Sequence, residues 1–146
     1  MTLGVAILGT GRLGGRYIGS VNACQEAETR VVAEPREEQV SDLRTAHPDI
    51  DFVADYRDVL QRDDIDIVVG TLPHWLHYQA SIDSLDAGKH VFLEKPMALS
   101  TIECDEMLAA AKSNNRLLMT AHTQRYFGEN IKMKEIIDSG DLGEVV

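Results

Sequence analysis

Cysteine, aromatic residues and basic residues are all scarce in this chain of 146 residues. It has two cysteines and 5% aromatic residues, and 14 lysines and arginines stand against 24 aspartates and glutamates. The formal net charge of −10 argues against nucleic acid or an anionic membrane as a partner. Because no apolar run is long enough to span a bilayer and no secretory signal opens the chain, we expect a cytoplasmic protein.

The two cysteines are predicted to be small core residues. Cys24 continues a helical stripe with Tyr17 and Val21, and Cys104 begins another with Met107. Their positions match no metal-ligand spacing, so we expect neither a metal site nor a disulfide.

Apolar runs typical of buried strands alternate with amphipathic stretches typical of helices. The strands are expected over residues 3–8, 30–33, 51–53, 65–70, 90–93 and 117–120. Helices are expected over about 13–23, 37–46 and 58–60, and after each of the last three strands. This order predicts an α/β fold with one Rossmann-type domain over residues 1–146. Its sheet is doubly wound and mostly parallel, with helices on both faces.

Caps and apolar faces are also readable in the last three helices. Gly88 and Gly140 are expected to end the fourth and sixth helices, and a capping box from Ser100 to Glu103 opens the fifth. The residues expected to face the core from the fourth and sixth helices are Trp75, Tyr78, Ile82, Leu85, Met133, Ile136 and Ile137.

A glycine-rich turn joins the first strand to the first helix. The segment Gly9-Thr10-Gly11-Arg12-Leu13-Gly14 has the pattern G-x-G-x-x-G. The first glycine permits a tight turn, the second lets a pyrophosphate approach the backbone, and the third lets helix and strand pack closely. We expect all six residues to contribute to dinucleotide binding at the helix amino terminus.

An acidic residue ends the second strand. Glu34 follows Gly14 by twenty residues, where a carboxylate accepts hydrogen bonds from the adenosine ribose and repels a 2′-phosphate. NAD is therefore preferred over NADP as the cofactor. Arg36 leaves alternatives open, since it could hold a 2′-phosphate, stack on adenine or point into solvent.

The tripeptide Glu94-Lys95-Pro96 follows the fifth strand, at the edge where open α/β sheets bind ligands. Lys95 is its one strong proton-transfer group. Pro96 fixes the backbone and can form a cis bond that aims the lysine in one direction.

Further candidate residues follow the fourth and sixth strands. The residues expected to line the ribose and nicotinamide end of the cofactor are Thr71, Leu72, Pro73, His74 and His77. The two histidines could both face the crevice, but they lack a third donor for zinc. The substrate candidates are His122, Arg125 and Tyr126, although Arg125 could equally pair with a local acid.

Together these residues resemble the amino-terminal NAD(P)-binding domain of the glucose-fructose oxidoreductase / inositol dehydrogenase / MocA family. The resemblance runs from the glycine pattern through Thr71-Leu72-Pro73 to residues 87–96, and on to Arg125-Tyr126 and residues 140–146. The segment from Gly88 to Pro96 is the most specific. The family's Gly-Phe-Asn-Arg-Arg-Phe-Asp-Pro has its counterpart in residues 121–128, where only Arg125 and Tyr126 carry over.

The resemblance implies hydride transfer between NAD or NADP and a secondary alcohol of a sugar- or cyclitol-like substrate. It implies that Lys95 is the catalytic lysine, that Lys95 and Glu94 contact the cofactor region, and that the Lys95–Pro96 bond is cis. Family members continue into a second α/β domain that supplies most of the substrate pocket and the oligomer interface. Residues 143–146 look like its first strand. A full-length form is then expected to be a homo-oligomer, and this chain alone to be inactive.

Two alternatives remain. The chain could be a non-catalytic dinucleotide-binding module, redox-sensing or scaffolding, or a Rossmann-like domain for S-adenosylmethionine, whose ribose Glu34 would suit equally well. Lys95 favours the oxidoreductase, because pure binding has no need of a proton-transfer group.

Overall fold

A six-stranded parallel sheet forms the centre of the molecule. The structure is a computed structural model that describes residues 2–11 and 13–144. Its strands are β1 (Leu3–Leu8), β2 (Ala27–Ala33), β3 (Asp51–Val53), β4 (Ile67–Gly70), β5 (His90–Leu93) and β6 (Leu118–Thr120). They pair in the order β3-β2-β1-β4-β5-β6, and each of these pairings is parallel. The prediction of a doubly wound Rossmann sheet is therefore confirmed.

Helices connect the strands. They are α1 (Gly14–Asn22), α2 (Glu37–Ala46), α3 (Tyr56–Leu60), α4 (His74–Asp86), α5 (Thr101–Ser113) and α6 (Gly128–Ser139), with a short 3-10 helix over Thr123–Tyr126 before α6. Gly88 and Gly140 have φ values of 75° and 80°, as expected of residues that end a helix. The Ser100 hydroxyl accepts a hydrogen bond from the Glu103 backbone N–H at 3.2 Å, which confirms that cap.

The core lies on both faces of the sheet, and β1 has no solvent-facing side. Ile7 packs in one cluster with Ile18 of α1, whereas Leu8 packs in another with Val59 of α3 and Ala80 of α4. Successive side chains of a strand point to opposite faces, so a strand covered on both sides must be apolar throughout. This is why β1 is a continuous apolar run.

Several residues expected in the core are exposed. Trp75 is 68% exposed, because the buried residues of α4 are His77, Ala80, Ser81, Ser84 and Leu85. These mostly small residues bring the helix close to the sheet and leave Trp75 outside the contact.

Helix α6 and Cys24 also depart from expectation. No residue of α6 is buried, and Met133, Ile136 and Ile137 are all exposed. The helix follows the edge strand β6, and the described part of the chain places no further layer over it. Cys24 is exposed because α1 ends at Asn22.

Among the described residues, no helix combines the length and apolar character needed to cross a membrane.

We expect Gly14→Ala to destabilise the protein by about 2 kcal/mol, because an added methyl group would overlap the carbonyl oxygen of Gly9. Gly19→Ala is the matched control in the same helix, since no described atom beyond its neighbouring residues lies within 4 Å of an added Cβ. Alanine should stabilise that position by about 0.5–1 kcal/mol. Urea unfolding of the two variants measures the difference, and equal free energies of unfolding would contradict the close helix–strand contact.

Candidate functional site

The glycine turn after β1 is tied to the strands on both sides of it. Gly9 has a φ of +88°, and its N–H donates to the carbonyl of Ala33 in β2 at 2.8 Å. The Thr71 hydroxyl, just after β4, donates to the carbonyl of Gly9 at 2.7 Å. The amino end of α1 therefore lies at the gap between β1 and β4, where the strand order reverses and ligands bind in such sheets. Arg12, the fourth residue of the pattern, lies outside the described residues.

Gly11, by contrast, has no steric reason to be glycine within the protein itself. It is exposed, and apart from its neighbouring residues no described atom lies within 4 Å of a Cβ built on it. That open space is where a pyrophosphate approaches the backbone in a dinucleotide-binding turn. A glycine at this position is therefore consistent with a backbone that a ligand approaches closely.

Glu34 is a buried carboxylate at the end of β2. Its Oε2 accepts hydrogen bonds from the Thr10 backbone N–H and hydroxyl, each at 3.0 Å. Arg36 donates from Nε to Oε1 at 2.7 Å and from Nη2 to Oε2 at 3.0 Å. Burial by itself would raise the pKa of Glu34, but the hydrogen bonds from Arg36 and Thr10 outweigh it and lower the pKa to about 2. The group is therefore ionised at neutral pH.

Arg36 covers this carboxylate from the solvent side. The Arg36 side chain is 51% exposed, whereas that of Glu34 is 1% exposed. The arginine therefore neither points freely into solvent nor stands away from Glu34, which answers part of the question that the sequence left open.

Lys95 lies where three cavities meet. A cavity of about 180 Å³ is lined by Leu13, Thr71, Leu72, His74, His77, Glu94 and Lys95. Glu94 and Lys95 also line neighbouring cavities of about 530 Å³ and 370 Å³. The Lys95 side chain is exposed, and the Lys95–Pro96 bond is cis, as expected. The strand ends thus form a crevice that connects the glycine turn to this lysine.

Two of the substrate candidates share a cavity with the lysine. His122 and Arg125 line the cavity of about 530 Å³ together with Lys95. Tyr126 does not line it and is 65% exposed. The loop after β6 therefore brings two of its three candidate residues to the crevice.

His77 lines the smallest of these cavities together with Lys95, as expected, although its side chain is fully buried. Its Nδ1 lies 2.7 Å from the carbonyl oxygen of Pro96, and its Nε2 lies 2.9 Å from that of Leu72. His74 remains exposed and contacts the His77 ring edge-on. Among the described residues, no group of three metal-ligating side chains comes together.

Tyr17 is a site residue that the sequence did not indicate. Its hydroxyl donates to Glu94 Oε1 at 2.6 Å, and its ring packs edge-on against Phe92. Burial and the Glu94 carboxylate raise the pKa of the Tyr17 hydroxyl. In the sequence, Tyr17 is one residue of the apolar stripe of α1, and that pattern does not indicate a polar contact. The signal that could have indicated it is the hydroxyl group, because a buried tyrosine hydroxyl needs a hydrogen-bond partner.

A larger cavity of about 560 Å³ lies at the opposite edge of the sheet, where β2 and β3 begin. Its arginines, Arg30 and Arg62, are already paired with Glu28, Asp51 and Asp64. Because ligands of open α/β sheets bind at the carboxyl ends of the strands, we do not assign this cavity to the cofactor.

Comparison with family models decides which family this geometry represents. The model described as "Oxidoreductase family, NAD-binding Rossmann fold" (GFO_IDH_MocA) matches residues 3–122. The chain belongs to this family. It is an NAD(P)-binding Rossmann domain of an oxidoreductase family.

Individual relatives agree with this assignment. The chain is 32% identical over 145 residues to a 2,7-anhydro-N-acetylneuraminate hydratase of Mediterraneibacter gnavus, covering 99% of this chain and 38% of the relative. It is 29% identical to the Bacillus subtilis scyllo-inositol 2-dehydrogenase (NADP(+)) IolW, and the match covers 99% of this chain and 40% of that protein. The crystal structure of myo-inositol 2-dehydrogenase from Lactobacillus plantarum matches with a TM-score of 0.90 and 29% identity, covering 100% of this chain and 44% of that one. The chain thus spans about two fifths of the length of these proteins.

We expect Gly11→Ala to leave the free energy of unfolding within about 0.5 kcal/mol of the wild-type value, because the protein leaves room for the methyl group. The same change should weaken NAD binding at least about tenfold, because a Cβ would stand where the pyrophosphate approaches. Urea unfolding and titration calorimetry on one preparation measure both quantities. Unchanged affinity would show that the turn is not the pyrophosphate site.

Proposed function

We propose that the chain is the cofactor-binding domain of an oxidoreductase that transfers hydride between NAD(P) and a secondary alcohol of a sugar- or cyclitol-like substrate. The observation that carries the proposal is the position of Lys95. It lies at the carboxyl end of β5, in the crevice that begins at the glycine turn, and it is exposed to whatever occupies that crevice. The inositol dehydrogenases among its relatives support this reaction class.

Different residues along the crevice have different proposed roles. Gly11 and the amino end of α1 would hold the pyrophosphate, and Glu34 the adenosine ribose. The nicotinamide, when bound, supplies the hydride acceptor. Lys95 would take the proton that the substrate hydroxyl loses as its carbon gives up hydride, so that no charge accumulates on the oxygen. His122 and Arg125 would contact the polar substrate from the loop after β6.

Three properties are proposed for the whole protein: its substrate, its oligomeric state and its cellular compartment. We infer a polyol- or sugar-like substrate, a homo-oligomer in a full-length form and a reduced, cytoplasmic setting. The two free cysteines are consistent with the last of these. We also expect negligible turnover from the 146 residues alone, because the relatives are more than twice as long and catalysis needs a substrate held against the nicotinamide.

NAD rather than NADP is the proposed cofactor. Glu34 is ionised and held by Thr10 in a fixed position, so that a 2′-phosphate would meet a negative charge at close range. Arg36 opposes this preference, because its guanidinium could turn from Glu34 to a phosphate. We weigh Glu34 more heavily, since its position is set by burial whereas Arg36 is half exposed.

We expect calorimetry on this chain to show NAD binding at least about tenfold more tightly than NADP, equivalent to about 1.4 kcal/mol. Glu34→Gln should lower the preference for NAD over NADP by removing the negative charge. Arg36→Ala should raise that preference by removing the cation that is paired with Glu34 and could turn to a phosphate. Glu37→Gln, an exposed acid at the start of α2, is the control. No detectable heat with either dinucleotide would overturn the cofactor assignment itself.

In a form of the protein that turns over substrate, we expect Lys95→Ala to lower the rate of hydride transfer by about 10²-fold or more, because proton transfer is worth that much. The affinity for NAD should change far less. Lys112→Ala, an exposed lysine on α5, is the matched control. Single-turnover kinetics with NAD titrations separate the two effects. A loss confined to affinity would make Lys95 a cofactor ligand and favour a non-catalytic dinucleotide-binding module.

A further inference from the structure

The residues immediately before and after Lys95 are each hydrogen-bonded to a different helix. Glu94 accepts a hydrogen bond from the Tyr17 hydroxyl of α1 at 2.6 Å. The carbonyl oxygen of Pro96 lies 2.7 Å from Nδ1 of His77 in α4. Helices α1 and α4 pack on opposite faces of the sheet. The exposed lysine is therefore flanked by two anchored neighbours that are held from opposite sides.

The His77 ring also lies between two strand ends. Its second nitrogen lies 2.9 Å from the carbonyl oxygen of Leu72, in the loop after β4, while the Pro96 carbonyl belongs to the loop after β5. A carbonyl oxygen only accepts, so whichever ring nitrogen carries a proton donates to one of these loops. Because the ring is fully buried, neither contact competes with water. The ring thus lies in direct contact with both the loop after β4 and the loop after β5.

The Tyr17 hydroxyl is held in one direction by the packing of its ring. Its ring packs against Phe92 of β5 with a centroid distance of 5.8 Å, which restricts the direction of the hydroxyl. Burial and the nearby carboxylate raise the pKa of this hydroxyl, so it remains a hydrogen-bond donor at neutral pH. Glu94 Oε2 in turn accepts from the Lys95 backbone N–H at 3.2 Å, which links the tyrosine to the lysine backbone.

We propose that Tyr17 and His77 are positioning residues that together hold Lys95 at the nicotinamide end of the crevice. The inference rests on the proposed function, in which Lys95 contacts that end of the cofactor. Among the described residues, neither side chain is hydrogen-bonded to the side chain of Lys95. Each acts through a neighbour of the lysine, Tyr17 through Glu94 and His77 through Pro96.

Comparing NAD with ADP isolates this role, because ADP has the adenosine and pyrophosphate but lacks the nicotinamide riboside. In calorimetry on the 146-residue chain, we expect Tyr17→Phe to weaken NAD about fivefold and to leave ADP unchanged, since only one hydrogen bond is removed. The phenylalanine keeps the packing on Phe92.

Two substitutions at His77 separate its two contacts. An asparagine can place its amide nitrogen near the position of Nδ1 and keep the bond to Pro96, whereas a glutamine can reach the position of Nε2 and keep the bond to Leu72. We expect His77→Gln to lower the ratio of NAD to ADP affinity, and His77→Asn to restore most of it. His90→Gln is the control, because His90 accepts one backbone hydrogen bond from Leu117 at the far end of β5 and should leave the ratio unchanged.

An NMR measurement on the wild-type chain tests the same role without depending on whether a variant folds. The ¹⁵N signals of the His77 ring should shift on titration with NAD and stay in place with ADP. Identical responses to the two ligands would overturn the positioning role, as would an unchanged affinity ratio in Tyr17→Phe or a better rescue by glutamine than by asparagine. A wild-type chain that binds neither ligand would instead overturn the proposed function, and this inference with it.

Discussion

The close approach of α1 to the end of β1 is the constraint on which the rest of the site depends. Gly14 lies against the carbonyl of Gly9 with no room for a methyl group, so the helix starts directly at the point where the strand order reverses. Side-chain hydrogen bonds connect this segment to the ends of β2, β4 and β5: Thr10 to Glu34, Thr71 to Gly9, and Tyr17 to Glu94. One turn and one helix therefore connect Glu34 to the neighbour of Lys95.

The charge of the molecule limits how such a crevice can hold its ligand. A chain with a formal net charge of −10 repels an anionic dinucleotide at long range. The attraction must come from groups that act at short range, chiefly the backbone N–H groups and the positive end of the α1 dipole. In the proposed site, the absence of a side chain at Gly11 would matter for this reason, since these groups are effective only when the phosphates come close.

The sequence predicted the sheet and the glycine turn well, and side-chain partners poorly. The bounds of β1, β3, β5 and α2 match their predictions, because apolar runs there are flanked by clear turn residues. Trp75 and α6 were misjudged, because periodicity marks an apolar face without showing whether anything covers it. The hydrogen-bond partners of His77 and Tyr17 were not predicted, because Pro96 and Glu94 are distant from them in sequence and are brought close by the parallel order of the strands.

The hydrogen bonds around Glu34 have a consequence for the thermodynamics of cofactor binding. The carboxylate has been withdrawn from water and supplied with donors from Thr10 and Arg36 in the ligand-free fold. The cost of dehydrating it is therefore met during folding rather than during binding. A ribose bound there, as proposed, would replace donors that are already present, so hydrogen-bond exchange at this end would add little net enthalpy. In the proposed role, such a preassembled carboxylate would contribute more to selectivity for one ligand over another than to the strength of binding.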